Sequence, residues 1–381
     1  MSSDPAIALL RDLVQINSIN PSLVAGAPGE GEIAQLIAGH MRRLGLEVDV
    51  EEVAPGRPNV VGVLEGRSPG PSLMFCGHLD TVGVDGMRAP FDPVEADGRL
   101  YGRGAQDMKG GVAAMIDAAR VAAGRGLRSG RLIVAAVVDE EYASIGADAL
   151  VARWGADAAV VTEPTGLEVA VAHKGFAWCE VETRGRAAHG SRPLEGRDAI
   201  VRMGRVLRAL EALDRDLQSR PPHPLMGTAS LHASIIGGGR EMSSYPDRCV
   251  LQYERRTVGG ETPLAIEHEL AELLRRLRDE DAEFDAAARI TVTRPAYELP
   301  QDHRLAQTLA RTVARVSGRP APFSAMTFWT DAAVLGEAGI PAVLFGPGGA
   351  GLHGVEEYVE IEDVRRCRDA LAALALEWCG Q

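Results

Sequence analysis

Lysine is almost absent from this chain of 381 residues: of its 40 basic side chains only Lys109 and Lys174 are lysine, and the rest are arginine. Both exceptions fall inside segments that carry candidate site residues, and a compact ammonium does not replace a planar guanidinium. Positive charge is scarce overall. The formal net charge of −13 argues against nucleic acid and against anionic membranes as partners. No apolar run approaches the roughly 18–20 residues that a membrane span needs. The start, Met1-Ser2-Ser3-Asp4-Pro5, has neither the basic residues nor the apolar stretch of a secretory leader. Cysteine is limited to five widely spaced residues with no CxxC pair, which fits reduced thiols and a cytoplasmic protein. A phosphate-binding loop, a G-x-S-x-G elbow and an evident Ser-His-Asp set are also missing. Internal repeats and low-complexity tracts are not found.

What is present is ample core material, 46% hydrophobic residues, in a chain long enough for two domains. Asp4 as N-cap, Pro5 at the first helical position and the stripe Ile7, Leu9, Leu10, Leu13, Val14 predict an opening helix that stops before Asn20-Pro21. A second helix is expected over about 30–44, with Gly45 as its stop. Strands near 46–53, 59–65, 72–77, 132–138 and 158–162 alternate with helices near 108–123 and 145–153. That alternation indicates an α/β domain with a mixed, largely parallel sheet flanked by helices. Between 176 and 291 the order becomes strand, helix, strand, strand, helix, strand, which reads as a ferredoxin-like α+β unit. Helices near 303–317 and 361–378 around a strand at 341–345 then resume the first pattern. The expected organisation is one α/β domain built from 1–175 and 292–381, with 176–291 inserted in it.

Chemistry-bearing side chains collect at the predicted strand ends and loop tips. His78 and Asp80 close the apolar run Ser72–Gly77. Two apart on an extended backbone they face the same side, and a ligating imidazole commonly hands its second N–H to a nearby oxygen. Asp107 lies in Gly102-Arg103-Gly104-Ala105-Gln106-Asp107-Met108-Lys109-Gly110-Gly111, ahead of a helix. Glu140 and Glu141 follow one strand, Glu163 precedes Pro164 at another strand end, and His353 sits in the glycine-rich run Gly346–Gly354. Each has an ordinary reading alone: a surface histidine, an N-cap aspartate, a solvated pair, a turn residue, a loop residue. Together they fall where open α/β sheets bind ligands, outside the carboxyl ends of the strands. Two imidazoles and several carboxylates make a mixed N/O donor set that suits zinc, manganese or cobalt better than calcium or magnesium. Four terminal ligands and one bridging carboxylate are enough for two metal ions.

These blocks, in this order, resemble the metallo-aminoacylase and exopeptidase family of acetylornithine deacetylase, succinyl-diaminopimelate desuccinylase, aminoacylase and carboxypeptidase G. The resemblance runs through Gly77-His78-Leu79-Asp80-Thr81-Val82, the 102–111 block, Asp139-Glu140-Glu141, Thr162-Glu163-Pro164-Thr165 and His353 ahead of Glu357-Tyr358. It implies two divalent ions, zinc first, with cobalt or manganese as alternatives. His78 and Glu163 would hold one ion and Glu141 and His353 the other, with Asp107 bridging and followed by a cis peptide. Asp80 would orient His78, and Glu140 would be the general base. The inserted domain would be a lid and dimerisation domain. In the resulting homodimer His189, in Ala188-His189-Gly190-Ser191-Arg192-Pro193, would reach the partner subunit's site as an oxyanion donor.

Substrate contacts follow the family less closely. Ser243 stands where many relatives carry asparagine, Arg256 aligns with an arginine that often binds a substrate carboxylate, and Gly348 is a further candidate. The implied reaction is hydrolysis of an amide in a small substrate, first the deacylation of an N-acyl amino acid or related N-acyl amine. Cleavage of a dipeptide or of a C-terminal amino acid is the alternative. A non-catalytic binding protein on the same fold is the remaining reading, and the presence of every expected ligand position and of Glu140 speaks against it.

Overall fold

The computed structural model describes residues 4–380; Met1–Ser3, part of the stretch on which the leader expectation rests, and Gln381 lie outside the described residues. The chain divides into two compact units. The first is Met1–Val171 with Leu299–Ser324 and Thr330–Gln381, and the second is Ala172–Glu298 with Ala325–Trp329. Compared with 176–291, the second unit begins earlier, ends later and takes in a short excursion from far along the sequence.

In the first unit the strands lie in the order Glu47–Ala54, Arg57–Glu65, Arg131–Val137, Ser72–His78, Ala158–Val161, Ala342–Leu344, then the strand that starts at Val169. The centre of this sheet is parallel: Ser72–His78 pairs in parallel with both Arg131–Val137 and Ala158–Val161, and Ala158–Val161 with Ala342–Leu344. The two strands on the Glu47 side are antiparallel, so the sheet is mixed. All seven residues of Ser72–His78 are buried, which is why this strand reads as a continuous apolar run and not as an alternation.

Helices cover the sheet. Asp4 accepts hydrogen bonds from the Ala6 and Ile7 amides and so caps Pro5–Gln15. The helix Gly110–Arg125 packs against Ile361–Trp378 and is buried along most of its length. A Cβ built at Gly111 would run into the carbonyl oxygen of Thr162. Glycine there brings the helix onto the strand end that leads to Glu163. Four short strands, Val94–Ala96, Arg99–Tyr101, Gly349–Ala350 and Tyr358–Glu360, form a separate small sheet. At two or three residues each they carry no legible period.

The second unit has the order strand Gly175–Arg184, helix Ala199–Ser219, strands Ser230–Gly238 and Arg248–Thr257, helix Pro263–Glu280, strand Asp285–Arg294. Its antiparallel sheet runs Ser230–Gly238, Arg248–Thr257, Gly175–Arg184, Asp285–Arg294, the ferredoxin-like arrangement. One face is its core, where Ala177, Cys179 and Val181 meet Met203, Val206 and Leu210 of the first helix and Leu270 and Leu274 of the second. Among the described residues no helix is long and apolar enough to cross a membrane.

Candidate metal centre

The parallel strands set the stage for the site. His78 is the last residue of Ser72–His78, Glu140 and Glu141 follow Arg131–Val137, and Glu163 follows Ala158–Val161. Three neighbouring parallel strands therefore deliver their C-terminal ends to one edge, and Asp107 and His353 are brought there by loops.

Asp107 lies between two imidazoles. Its Oδ1 is 3.1 Å from His78 Nε2, and its Oδ2 is 3.5 Å from His353 Nε2. Glu141 Oε2 stands 3.1 Å from His353 Nε2, while Glu163 Oε1 and Glu140 Oε2 stand 3.9 and 4.0 Å from His78 Nε2. Two sets of donor atoms lie close enough to share an ion: His78, Asp107 and Glu141, and His78, Glu140 and Glu163. Asp107 is not a helix cap. It has φ −116° and ψ 95°, its peptide bond to Met108 is cis, and the following helix begins only at Gly110.

His78 Nδ1 lies 3.0 Å from the backbone carbonyl of Asp80, with the Asp80 carboxylate at 3.6 Å. A carbonyl only accepts, so Nδ1 carries a proton, and Nε2 is the ring atom turned toward Asp107. The Asp80 carboxylate has further partners. It accepts the Glu140 amide on Oδ1 and the Glu141 amide on Oδ2, each at 3.1 Å, and the Asn20 side-chain amide at 2.8 Å. These bonds fix the peptides from which the two adjacent glutamates diverge.

Ionisable groups in so small a space shift one another. Burial, and then the charge of Glu163, pushes Glu140 well above the usual carboxylate range. Burial, opposed by His78 and reinforced by Asp107, does the same to Glu163. Glu141 is pushed up to about 7 by burial and then by the charge of Asp107. His353 is raised to about 10 by its hydrogen bonds to Asp107 and then Glu141. Burial also disfavours a charged Asp107, but its hydrogen bonds to His353 and His78 outweigh that and hold it below the usual range. A donor set whose crowded carboxylates resist ionisation lacks positive charge, and with two imidazoles among its donors it fits zinc-type divalent ions.

Behind the site runs a buried polar network. Arg57 donates to both oxygens of Glu30, at 2.8 and 2.5 Å, and lies 2.7 Å from Asp139 Oδ1. Asn20 joins Asp139 to Asp80, at 3.0 and 2.8 Å. Asp139 has φ +69° and His353 φ +56°, a left-handed conformation that non-glycine residues seldom adopt without surrounding support. Lys109, also buried, donates to the carbonyl of Ile16 at 2.8 Å, and burial lowers its pKa to about 7.

Other candidates have internal partners or lie in the second unit. The Gly348 amide donates to Asp363 at 3.3 Å and its carbonyl accepts from Glu360 at 2.9 Å. In the second unit His189 Nδ1 lies 3.2 Å from the Ser191 amide and 2.8 Å from its hydroxyl. An amide N–H only donates, so Nδ1 accepts and the ring proton rests on Nε2. Ser243 accepts the Gly190 amide on its carbonyl at 2.7 Å, which ties it to the His189 turn. Arg256 pairs with Glu254 at 2.6 Å and stacks over Phe176. His173 and Trp329 are buried and pack edge to face.

The comparisons with known proteins converge on one family. Residues 74–377 match the model of Peptidase family M20/M25/M40. The chain belongs to this family. It is 34% identical to acetylornithine deacetylase from Myxococcus xanthus, over 99% of this chain and 98% of the relative. It is 28% identical to N-formyl-4-amino-5-aminomethyl-2-methylpyrimidine deformylase from Bacillus subtilis, over 92% and 89%. In fold it matches a tripeptidase from Staphylococcus aureus with a TM-score of 0.81 at 21% identity, covering 99% and 98% of the two chains. As an M20 member it is an enzyme, a hydrolase acting on amides.

Sequence reasoning passed over five residues that support this candidate site: Asn20, Glu30, Arg57, Arg103 and Glu357. Asn20 reads as a helix stop before proline, Glu30 only as the start of a helix, and Arg57 carries no local signal. Arg103 and Glu357 stood inside quoted motif blocks, the one signal that pointed to them.

Proposed function

We propose that this M20 hydrolase removes the acyl group from an N-acyl amino acid or a related N-acyl amine. The carrying observation is Asp107, whose two oxygens face His78 and His353 with Glu141 and Glu163 beside them. His78 and Glu163 would hold one divalent ion, Glu141 and His353 the other, with Asp107 between; zinc is the first choice, cobalt or manganese the alternatives. Bound there, the ions would lower the pKa of a water toward neutrality and polarise the amide carbonyl. Glu140 takes the proton released as water attacks and returns it to the departing nitrogen. Asp80 would orient His78 and, by holding the amides of both glutamates, keep the base and the ligand aimed differently.

The likeness to a deacetylase and a deformylase supports acyl removal; the family's peptidase description favours peptide cleavage as the second reading. A screen of N-acetyl, N-succinyl and N-formyl amino acids against dipeptides, with each metal loaded in turn, tests the choice. N-acyl substrates are expected to turn over faster, and faster dipeptide hydrolysis would reverse the order. Chelation is expected to abolish turnover and added metal to restore it; turnover that survives verified metal removal would end the metal assignment.

The inserted unit is proposed as a lid through which two copies associate, with His189 supplying an oxyanion donor to the partner subunit's site. Two features support this: the Nε2–H tautomer of His189, and the outermost strand Ser230–Gly238, where Ile235 and Ile236 are exposed. Mixing His189→Ala with Glu140→Gln subunits is expected to regain activity that neither variant has alone. Verified mixed dimers without recovery would count against sharing. The cysteines are all free and buried, which supports the cytoplasmic reading.

A further inference from the structure

Arg103 and Glu357 form a buried ion pair, Nη1 to Oε2 at 2.7 Å, with the two side chains 3% and 0% exposed. The pair does more than neutralise itself. The remaining guanidinium donors point elsewhere: Nη2 donates to the carbonyl of Gly354 at 2.9 Å, and Nε to the carbonyl of Gly83 at 3.1 Å. Gly354 follows His353, and Gly83 lies on the loop that leaves His78 and Asp80. The carboxylate is equally committed. Oε2 also accepts the Gly104 amide at 2.9 Å, and Oε1 accepts the amides of Gln106 and Asp107 at 2.9 and 3.1 Å. One guanidinium and one carboxylate thus bind the three loops that present His78, Asp107 and His353.

We propose that Arg103 and Glu357 are positioning residues that hold the metal-binding loops in register, so that metal affinity depends on them although neither is a ligand. This rests on the ligand assignment proposed above. Glu357 is acidic and near the site, but its two oxygens already accept three amides and a guanidinium, which fills the roughly four lone-pair directions of a carboxylate. Arginine is required because three acceptors in three directions match a planar fork and not a single ammonium. Glutamate is required because two oxygens must accept throughout, and an amide would turn one of them into a donor facing other donors.

The experiment titrates zinc into apoprotein by calorimetry for wild type, Arg103→Lys, Glu357→Gln and the double variant, with His78→Ala as reference. Arg103→Lys and Glu357→Gln are each expected to weaken zinc binding about 10–100-fold. KM is expected to be unchanged, and kcat at limiting zinc to fall and to recover as zinc is raised. The double variant is expected to lose little more than either single one, because the pair acts as a unit. A merely structural role would lower the melting temperature of the apoprotein and leave zinc affinity alone, and that result overturns the proposal. Should Glu357→Gln not fold, Arg103→Lys decides, since it keeps the charge. If His78→Ala retains wild-type affinity, the ligand assignment falls and takes this inference with it. If His78→Ala loses zinc while both other variants bind normally, the positioning role alone is wrong.

Discussion

Glu140→Gln is expected to lower kcat by about 10²–10⁴-fold, the usual contribution of a general base, while the protein keeps its full metal content. Glutamine preserves the volume of the side chain and removes only its capacity to accept a proton at neutral pH. The geometry makes the paired measurement necessary. Glu140 Oε2 lies as close to His78 Nε2 as Glu163 does, 4.0 against 3.9 Å, so distance by itself does not divide base from ligand. Elemental analysis of the variant does. Unchanged metal with lost turnover assigns Glu140 as the base; lost metal would move it into the ligand set, and normal turnover would remove it from the chemistry.

Arg57→Met is expected to destabilise the fold by about 3–5 kcal/mol, the cost of leaving a buried charge without its partner. Arg57 is 7% exposed and is the cation between Glu30 and Asp139. Methionine fills much of the space and leaves Glu30 buried and unpaired. Glu30 is already raised from 4.5 by burial, which its hydrogen bonds to Arg57 oppose. Removing Arg57 raises it further. A carboxyl whose folded pKa lies above its unfolded value stabilises the fold below the unfolded pKa, and that contribution is lost as pH rises toward the folded pKa. The deficit of Arg57→Met should therefore be smallest in mild acid and grow as pH rises above about 4.5. Denaturant unfolding of wild type and variant across that range checks it, and a deficit independent of pH would show that packing, not charge, is what Arg57 supplies.

Much of the candidate site is legible because its donors sit where strands end or loops turn. His78, Glu140, Glu141 and Glu163 lie at the ends of strands whose apolar runs are plain in the sequence, and Asp107 and His353 lie among glycines. The supporting residues are not legible in this way. Asn20 lies 60 residues from Asp80, and Arg103 lies 254 residues from Glu357. Each satisfies a partner that no local pattern names. The short strands that form the small sheet were missed for a related reason, since two or three residues cannot display a period of two. The excursion Ala325–Trp329 into the second unit follows from packing of Trp329 against His173 and Phe176, contacts again remote in sequence.

Composition and order along the chain determined the kind of fold this is: an α/β domain with an inserted α+β unit and a histidine–carboxylate set at strand ends, to which the resemblance of the motif blocks added hydrolysis. Strand periodicity, glycine placement and donor type are local properties, and they survive without a structure. Tertiary structure decided the rest. It put Asp107 between two imidazoles, gave the oxygens of Asp80 to the amides of Glu140 and Glu141, and closed three loops on Arg103 and Glu357. Buried polar groups must all find partners once water is excluded, and which partners are in reach is set only when the chain has folded.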